Sequence, residues 1–144
     1  VTIYGAGQAR GGYARYDMTV NILVVDDSKL ARIVAGKAIA ALQPDWTRVE
    51  AGSAAEALGA VGSQQIDVAI LDFNMPDKDG LELASELRAN HPNMPIAVIT
   101  ANVQEEIIAR VRSLNATFVA KPVTPEALSG FIAGAALRLK KAGL

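Results

Sequence analysis

The 144-residue chain contains no cysteine, which excludes disulfide frameworks, thiolate metal sites and cysteine nucleophiles, and fits a reducing compartment. Its one histidine, His91, stands among Asn90, Pro92 and Asn93 and reads as an exposed loop residue rather than a ligand. Aromatic residues make up only 5% of the chain; Trp46 among them is expected to be a packing residue. No apolar run is long enough to span a bilayer, and no secretory pattern opens the chain. The formal net charge of −1 gives no reason to expect direct binding to nucleic acid. Internal repeats and low-complexity stretches are also missing. The expectation is a cytoplasmic domain without membrane or nucleic-acid contacts, long enough to bury about two-thirds of its unfolded surface.

Residues 1–17 differ in composition from the rest, holding all three tyrosines and four glycines but no proline. A boundary is therefore expected near Met18, with a flexible tail, native or left by the expression vector, before a domain spanning 18–144. Gly5, Gly7 and Gly11 resemble a dinucleotide-binding loop only superficially. Arg10 stands where that motif needs glycine, and Gly12 to Asp17 shows no helical periodicity.

From Asn21 onward, apolar runs of strand length alternate with helical periodicity. Asn21–Val25 is continuously apolar after its first residue and ends in Asp26-Asp27, the pattern of a strand covered on both faces. Ser28 then caps a helix expected to bury Leu30, Val34, Ala38 and Leu42, and Gln43-Pro44-Asp45 ends it. Thr47–Ala51 alternates polar with apolar, as an edge strand does. Ser53 and Glu56 make a capping box for a short second helix. A third strand, Val68–Leu71, delivers Asp72 and breaks into the loop Phe73–Asp79; Leu83, Ala84 and Leu87 mark the next helix. Pro95–Ile99 is a fourth strand ending at Thr100, and the helix after it is expected to turn Val103, Ile107, Val111 and Leu114 inward. Asn115 suits a left-handed turn at that helix's end. Phe118–Ala120 is a short fifth strand before Lys121-Pro122, and Thr124 with Pro125 opens the last helix, which buries Leu128, Phe131, Ile132 and Ala135. Five strand–helix alternations predict an α/β domain with a doubly wound five-stranded parallel sheet and helices on both faces.

That topology gathers the polar residues at one place. Asp26 and Asp27 end the first strand, Asp72 the third, Thr100 the fourth and Lys121 the fifth, where ligands bind in open α/β sheets. Carboxylates at about 4 Å repel by about 4 kcal/mol per pair even at an effective dielectric near 20, so their convergence calls for a cation. With oxygen donors alone the ion is hard, and an open site handling phosphate points to Mg²⁺. A hydroxyl and an ammonium in the same pocket suit a tetrahedral, multiply charged anion.

The order and spacing of Asp26-Asp27-Ser28-Lys29, Asp72 with Asn74-Met75-Pro76 and Gly80, Thr100-Ala101, and Lys121-Pro122 resemble the receiver domain of two-component response regulators, especially the single-domain chemotaxis type. The resemblance covers the chain from Met18 to Leu144 and implies a flavodoxin-like strand order 2-1-3-4-5. It implies that Asp72 is the phosphoacceptor, taking a phosphoryl group from the phosphohistidine of a sensor histidine kinase or phosphotransfer protein. Mg²⁺ would be bound by Asp27, Asp72 and the backbone carbonyl of Asn74, with Asp26 acting through a water. Lys121 would pair with Asp72 at rest and with a phosphoryl oxygen afterwards, another oxygen being held by Thr100 and the backbone N–H of Ala101. Lys121-Pro122 is expected to be cis, aiming the lysine into the pocket. Thr100 and Phe118 would form the switch, reshaping the face of helix 4, strand 5 and helix 5 that downstream partners bind. Phe118, often tyrosine in the family, has no hydroxyl to offer. Asn74 and Asn102, two residues beyond Asp72 and Thr100, flank the path of a hydrolysing water and cannot act as bases, which implies an intermediate phosphoryl lifetime.

Such a domain would be regulatory rather than an enzyme, although self-phosphorylation from small donors and autodephosphorylation are expected. An aspartate-nucleophile phosphatase would need a second acid where Ser28 stands, and a flavin carrier would need a Ser/Thr-rich loop after the first strand. A receiver cut from a larger regulator with DNA-binding or enzymatic output stays open. Asp77-Lys78-Asp79-Gly80 resembles part of a calcium loop but lacks its remaining ligands, so Asp77 and Asp79 read as turn residues.

Overall fold

The chain is described by a computed structural model covering residues 19–143. The expected tail, the boundary at Met18 and the glycine loop near the start lie outside the described residues. Strand and helix alternate as β1 (Asn21–Val25), α1 (Lys29–Leu42), β2 (Thr47–Ala51), α2 (Ala54–Ser63), β3 (Val68–Asp72), α3 (Gly80–Asn90), β4 (Ile96–Thr100), α4 (Glu105–Ser113), β5 (Thr117–Ala120) and α5 (Pro125–Lys141). All pairings are parallel, in the order β2-β1-β3-β4-β5, so β2 is an edge strand as its alternation implies and the fully buried β3 lies at the centre.

Because side chains alternate across a strand, each central strand feeds two cores. Leu23, Val25, Ala69, Leu71 and Val98 pack under α2, α3 and α4 with Leu83, Leu87, Ile107 and Val111. Ile22, Val24, Val68, Ile70 and Ile99 pack on the other face with Ala38 and Ile39 of α1 and Leu128, Phe131, Ile132 and Ala135 of α5. Trp46 is buried in this second core, as expected.

The inward face of α1 differs from the one its periodicity predicts. Leu30 and Val34 are 71% and 44% exposed; Ala38 is buried as expected, but its inward neighbours are Ala35 and Ile39. On this face α1 packs against the sheet and α5, while Leu30 and Val34 line a cleft with Pro122 and Val123. Val103 is likewise exposed, because α4 begins only at Glu105 and buries Ile107 and Val111.

Helix starts are fixed by short polar side chains that satisfy otherwise unpaired amides. Ser28 Oγ accepts from Ala31 N, Ser53 Oγ from Glu56 N, and Thr124 Oγ1 from Ala127 N. The Ser53 box is only half closed, since Glu56 accepts from Gly52 N rather than from Ser53 N. The complete capping box belongs to Asp79 and Glu82 at α3, so Asp79 is a helix cap rather than a mere turn residue. Asn115 adopts the expected left-handed conformation, φ 55°, and Lys121-Pro122 is cis. His91 is the half-exposed C-cap of α3.

Arg88 ties this frame together. Its guanidinium donates to the carbonyls of Leu114 and Asn115 after α4 and of His91, Pro92 and Met94 before β4. Among the described residues no helix is long and apolar enough to cross a membrane.

Candidate functional site

Parallel register brings the strand ends level: Val25 lies beside Leu71, Asp72 beside Ile99, and Thr100 beside Ala120. The residues that follow therefore emerge on one rim. One carboxylate oxygen each from Asp26, Asp27 and Asp72 lie within 4.8 Å of one another, with no nitrogen or sulfur donor in the group.

Asp72 is the buried member, 4% exposed. Lys121 Nζ stands 2.9 Å from its Oδ1 as an ion pair. Beyond this ion pair, no donor reaches the buried Oδ1. Burial pushes the Asp72 carboxyl above its ordinary range; Lys121 opposes this, and the charges of Asp26 and Asp27 reinforce it. For Lys121, burial favours the neutral amine, but Asp72, Asp26 and Asp27 outweigh it and the net shift is upward. Three carboxylates face one lysine here, so the pocket holds more negative charge than its lysine balances.

Asp26 both caps and lines the site. Its Oδ1 accepts from Ser28 N at 2.9 Å, its N–H donates to Ala51 O at 3.1 Å, and its carbonyl accepts from Arg32 Nη1 at 2.6 Å. Asp27 is exposed. Thr100 is buried; its Oγ1 accepts from Asn102 N at 2.9 Å, and its carbonyl accepts from Lys121 N at 3.1 Å. Ala101 follows, exposed. Phe118 is half-buried on β5 opposite Val98, two positions back from the rim and on the sheet face that Thr100 shares.

Asn74 is exposed in the loop after Asp72, and this loop is firmly held. Phe73 N donates to Ile99 O and Gly80 N to Phe73 O, both at 2.8 Å. The Asp77 carboxylate accepts from Ala54 N and Ala55 N at the start of α2, which makes it a tie between two elements rather than a turn residue alone. Those amides, that of Ala55 foremost, hold its carboxyl below the ordinary carboxylate range. Gly80 is required by closeness: a Cβ there would lie 2.5 Å from the carbonyl oxygen of Asp72. Beside the acids, Leu30, Val34, Pro122 and Val123 rim a cleft of about 280 Å³ that reaches Asp72 and Lys121.

Against this geometry stand the comparisons with known proteins. The family model of the response regulator receiver domain matches residues 22–133. The chain belongs to this family. The receiver is 34% identical over 117 residues to the cyclic di-GMP phosphodiesterase response regulator RpfG of Xanthomonas campestris, covering 78% of this chain and 30% of that protein. It is 36% identical over 115 residues to the response regulator MprA of Mycobacterium bovis, covering 77% and 48%. The chain thus spans less than half the length of these curated relatives. Among solved structures it is similar to the chemotaxis response regulator CheY4 of Vibrio cholerae, with a TM-score of 0.71, 25% identity, and coverage of 81% of this receiver and 98% of that chain. Membership makes the domain a receiver, a regulatory module. Arg32 had no expected role and Asp77 only that of a turn residue, because contacts 6 and 22 or more residues away leave no periodic signal.

Proposed function

We propose that this receiver is a phosphorylation-activated switch whose acceptor is Asp72. The observation that carries the reading is the Asp72 carboxylate: buried, met on Oδ1 by Lys121 alone, and crowded by Asp26 and Asp27. An all-oxygen donor set of this kind fits a hard divalent ion. Asp27, Asp72 and the Asn74 carbonyl would hold Mg²⁺, with Asp26 reaching it through a water. When bound, the ion supplies charge neutralisation for the carboxylates and the incoming phosphoryl group.

An Asp72 oxygen attacks the phosphorus of a partner kinase's phosphohistidine; the P–N bond breaks and its electron pair returns to the imidazole. Lys121, already 2.9 Å from Asp72, needs only a small movement to meet a phosphoryl oxygen. The Thr100 hydroxyl and the Ala101 N–H hold a second oxygen. For this Thr100 must leave the N–H of Asn102, and the space it vacates admits Phe118 from the same sheet face. The α4–β5–α5 surface then changes and partners that prefer one form shift the balance. Phe118 gives this switch packing without a hydroxyl. We place the domain in the cytoplasm, where kinase and output meet it.

A second reading, a receiver segment of a longer regulator with DNA-binding or enzymatic output, is favoured by relatives of which the match is 30% and 48%. In either case the test is the same. With Mg²⁺, beryllofluoride should bind and move the NMR signals of Thr100 and Phe118, and acetyl phosphate should label the wild type but not Asp72→Asn. Labelling of that variant would show another acceptor.

A further inference from the structure

We propose that Arg32 is the positioning residue that aims the acidic pair Asp26-Asp27, acting on the peptide group between them. The proposal rests on the Mg²⁺ reading above and extends it to a residue outside the rim. Arg32 lies in α1 behind the site, with its side chain 16% exposed. Its Nη1 donates to the Asp26 carbonyl at 2.6 Å while its Nε donates to Glu50 Oε1 on β2 at 2.8 Å. The two donors of a planar fork are thus fixed at once, one on a carboxylate that sets the head's orientation, the other on the backbone of the site.

The Asp26 carbonyl belongs to the peptide plane that joins the two acids. The N–H of Asp26 is committed to Ala51 and one carboxylate oxygen, Oδ1, to Ser28. Asp27 is exposed, so its direction depends on the peptide plane before it. Rotation of that plane would swing the Asp27 carboxylate out of the 4.8 Å group and strain the Ser28 N to Asp26 Oδ1 bond that spans it. Arg32 resists this rotation. A lysine has a single ammonium and cannot hold both acceptors in the fork's geometry.

Positioning and simple charge predict opposite signs. A cation near three carboxylates opposes binding of a second cation, so if charge were all that mattered, Arg32→Ala would take up Mg²⁺ more tightly. Positioning requires weaker uptake, and outer groups that orient metal ligands typically matter by 10–100-fold. The experiment is Mg²⁺ titration by calorimetry on wild type, Arg32→Ala and Arg32→Lys, each checked for native circular dichroism, with ¹⁵N spectra of the metal-free proteins. Both variants should bind about tenfold more weakly, the lysine variant despite its retained charge. The metal-free amide signals of Asp27 and Ser28 should shift while those of α4 stay in place. Unchanged or tighter binding in either variant overturns the proposal. A wild type that takes up no Mg²⁺ overturns the metal reading itself and this proposal with it, whereas wild-type binding with insensitive variants overturns the role of Arg32 alone.

Discussion

Gly80→Ala should destabilise this receiver, although alanine is the better helix former. Gly80 is the first residue of α3, and its α-carbon faces the end of β3. An added Cβ would lie 2.5 Å from Asp72 O, 2.9 Å from Phe73 Cα and 3.1 Å from Asp72 C. All three are backbone atoms, so no change of rotamer relieves the contact. Either α3 moves away from the sheet or Asp72 moves with its loop. Overpacking of this kind costs about 1–3 kcal/mol, while replacing glycine in a helix returns about 0.5–1 kcal/mol, less at the first turn. The net loss is about 1–2 kcal/mol, which lowers the melting temperature by about 3–8 °C for a domain of this size.

The control is the same substitution elsewhere. At Gly130 and Gly134 on the exposed face of α5, no atom lies within 4 Å of an added Cβ. There only the backbone-entropy gain remains, and each alanine should stabilise by about 0.5–1 kcal/mol. Thermal and urea unfolding followed by far-ultraviolet circular dichroism would measure all three. The reasoning is refuted if Gly80→Ala melts at or above the wild type, or if the three substitutions share one sign. Mg²⁺ binding gives a further check, since a displaced Asp72 should weaken it in Gly80→Ala alone.

Arg88→Ala should lower stability by about 2–4 kcal/mol, because carbonyls from two loops lose their charged donor together; Arg88→Lys should recover less than half, as urea midpoints would show. Asp72→Asn should raise the melting temperature of the metal-free protein. A carboxyl whose folded pKa is raised above the unfolded value weakens the fold at neutral pH, a penalty that fades as pH falls through the folded pKa, so the advantage of asparagine should shrink in acid and in saturating Mg²⁺. Asp77 has the opposite sign. Its folded pKa is depressed, so its contribution is complete above the unfolded value near 3.8 and is lost as pH falls through the lower folded value. Asp77→Asn should therefore flatten the stability profile below about pH 4, and a wild-type slope there would contradict the tie to α2.

The gathering of the rim residues was legible because it follows from topology. Once Asn21–Val25 and Val68–Leu71 are buried parallel strands, Asp26, Asp27 and Asp72 must meet at one end, whatever the helices do. The caps at Ser28, Ser53 and Thr124 were legible too, each set by contacts three residues apart. What periodicity could not give was which stripe of a small-residue helix faces inward. In α1 Ala35 and Ile39 pack inward beside the expected Ala38, and the larger Leu30 and Val34, counted as core by hydrophobicity, stay exposed. Arg32, Asp77 and Arg88 escaped for another reason. Each acts through backbone groups that every residue carries, so nothing in the partner's identity marks the contact.

Those long-range ties also say where the proposed switch has freedom. The C-terminal end of α4 is held by Arg88 through Leu114 and Asn115. Its N-terminal end has no side-chain cap, and the approach to it runs from Asn102 N to Thr100 Oγ1 and from Gln104 N to Asn102 Oδ1. If Thr100 turns its hydroxyl to a phosphoryl oxygen, the first of these bonds is lost and the second loses its fixed base. Only Ile107 and Val111 bury α4 against the sheet, so little else opposes a tilt. The helix should then pivot about the end pinned by Arg88 and move most at its first residue, Glu105, with the exposed Val103 leading into it. A motion graded in this way, large at Glu105 and small at Leu114, separates a pivot from a rigid sliding of the whole α4–β5–α5 face.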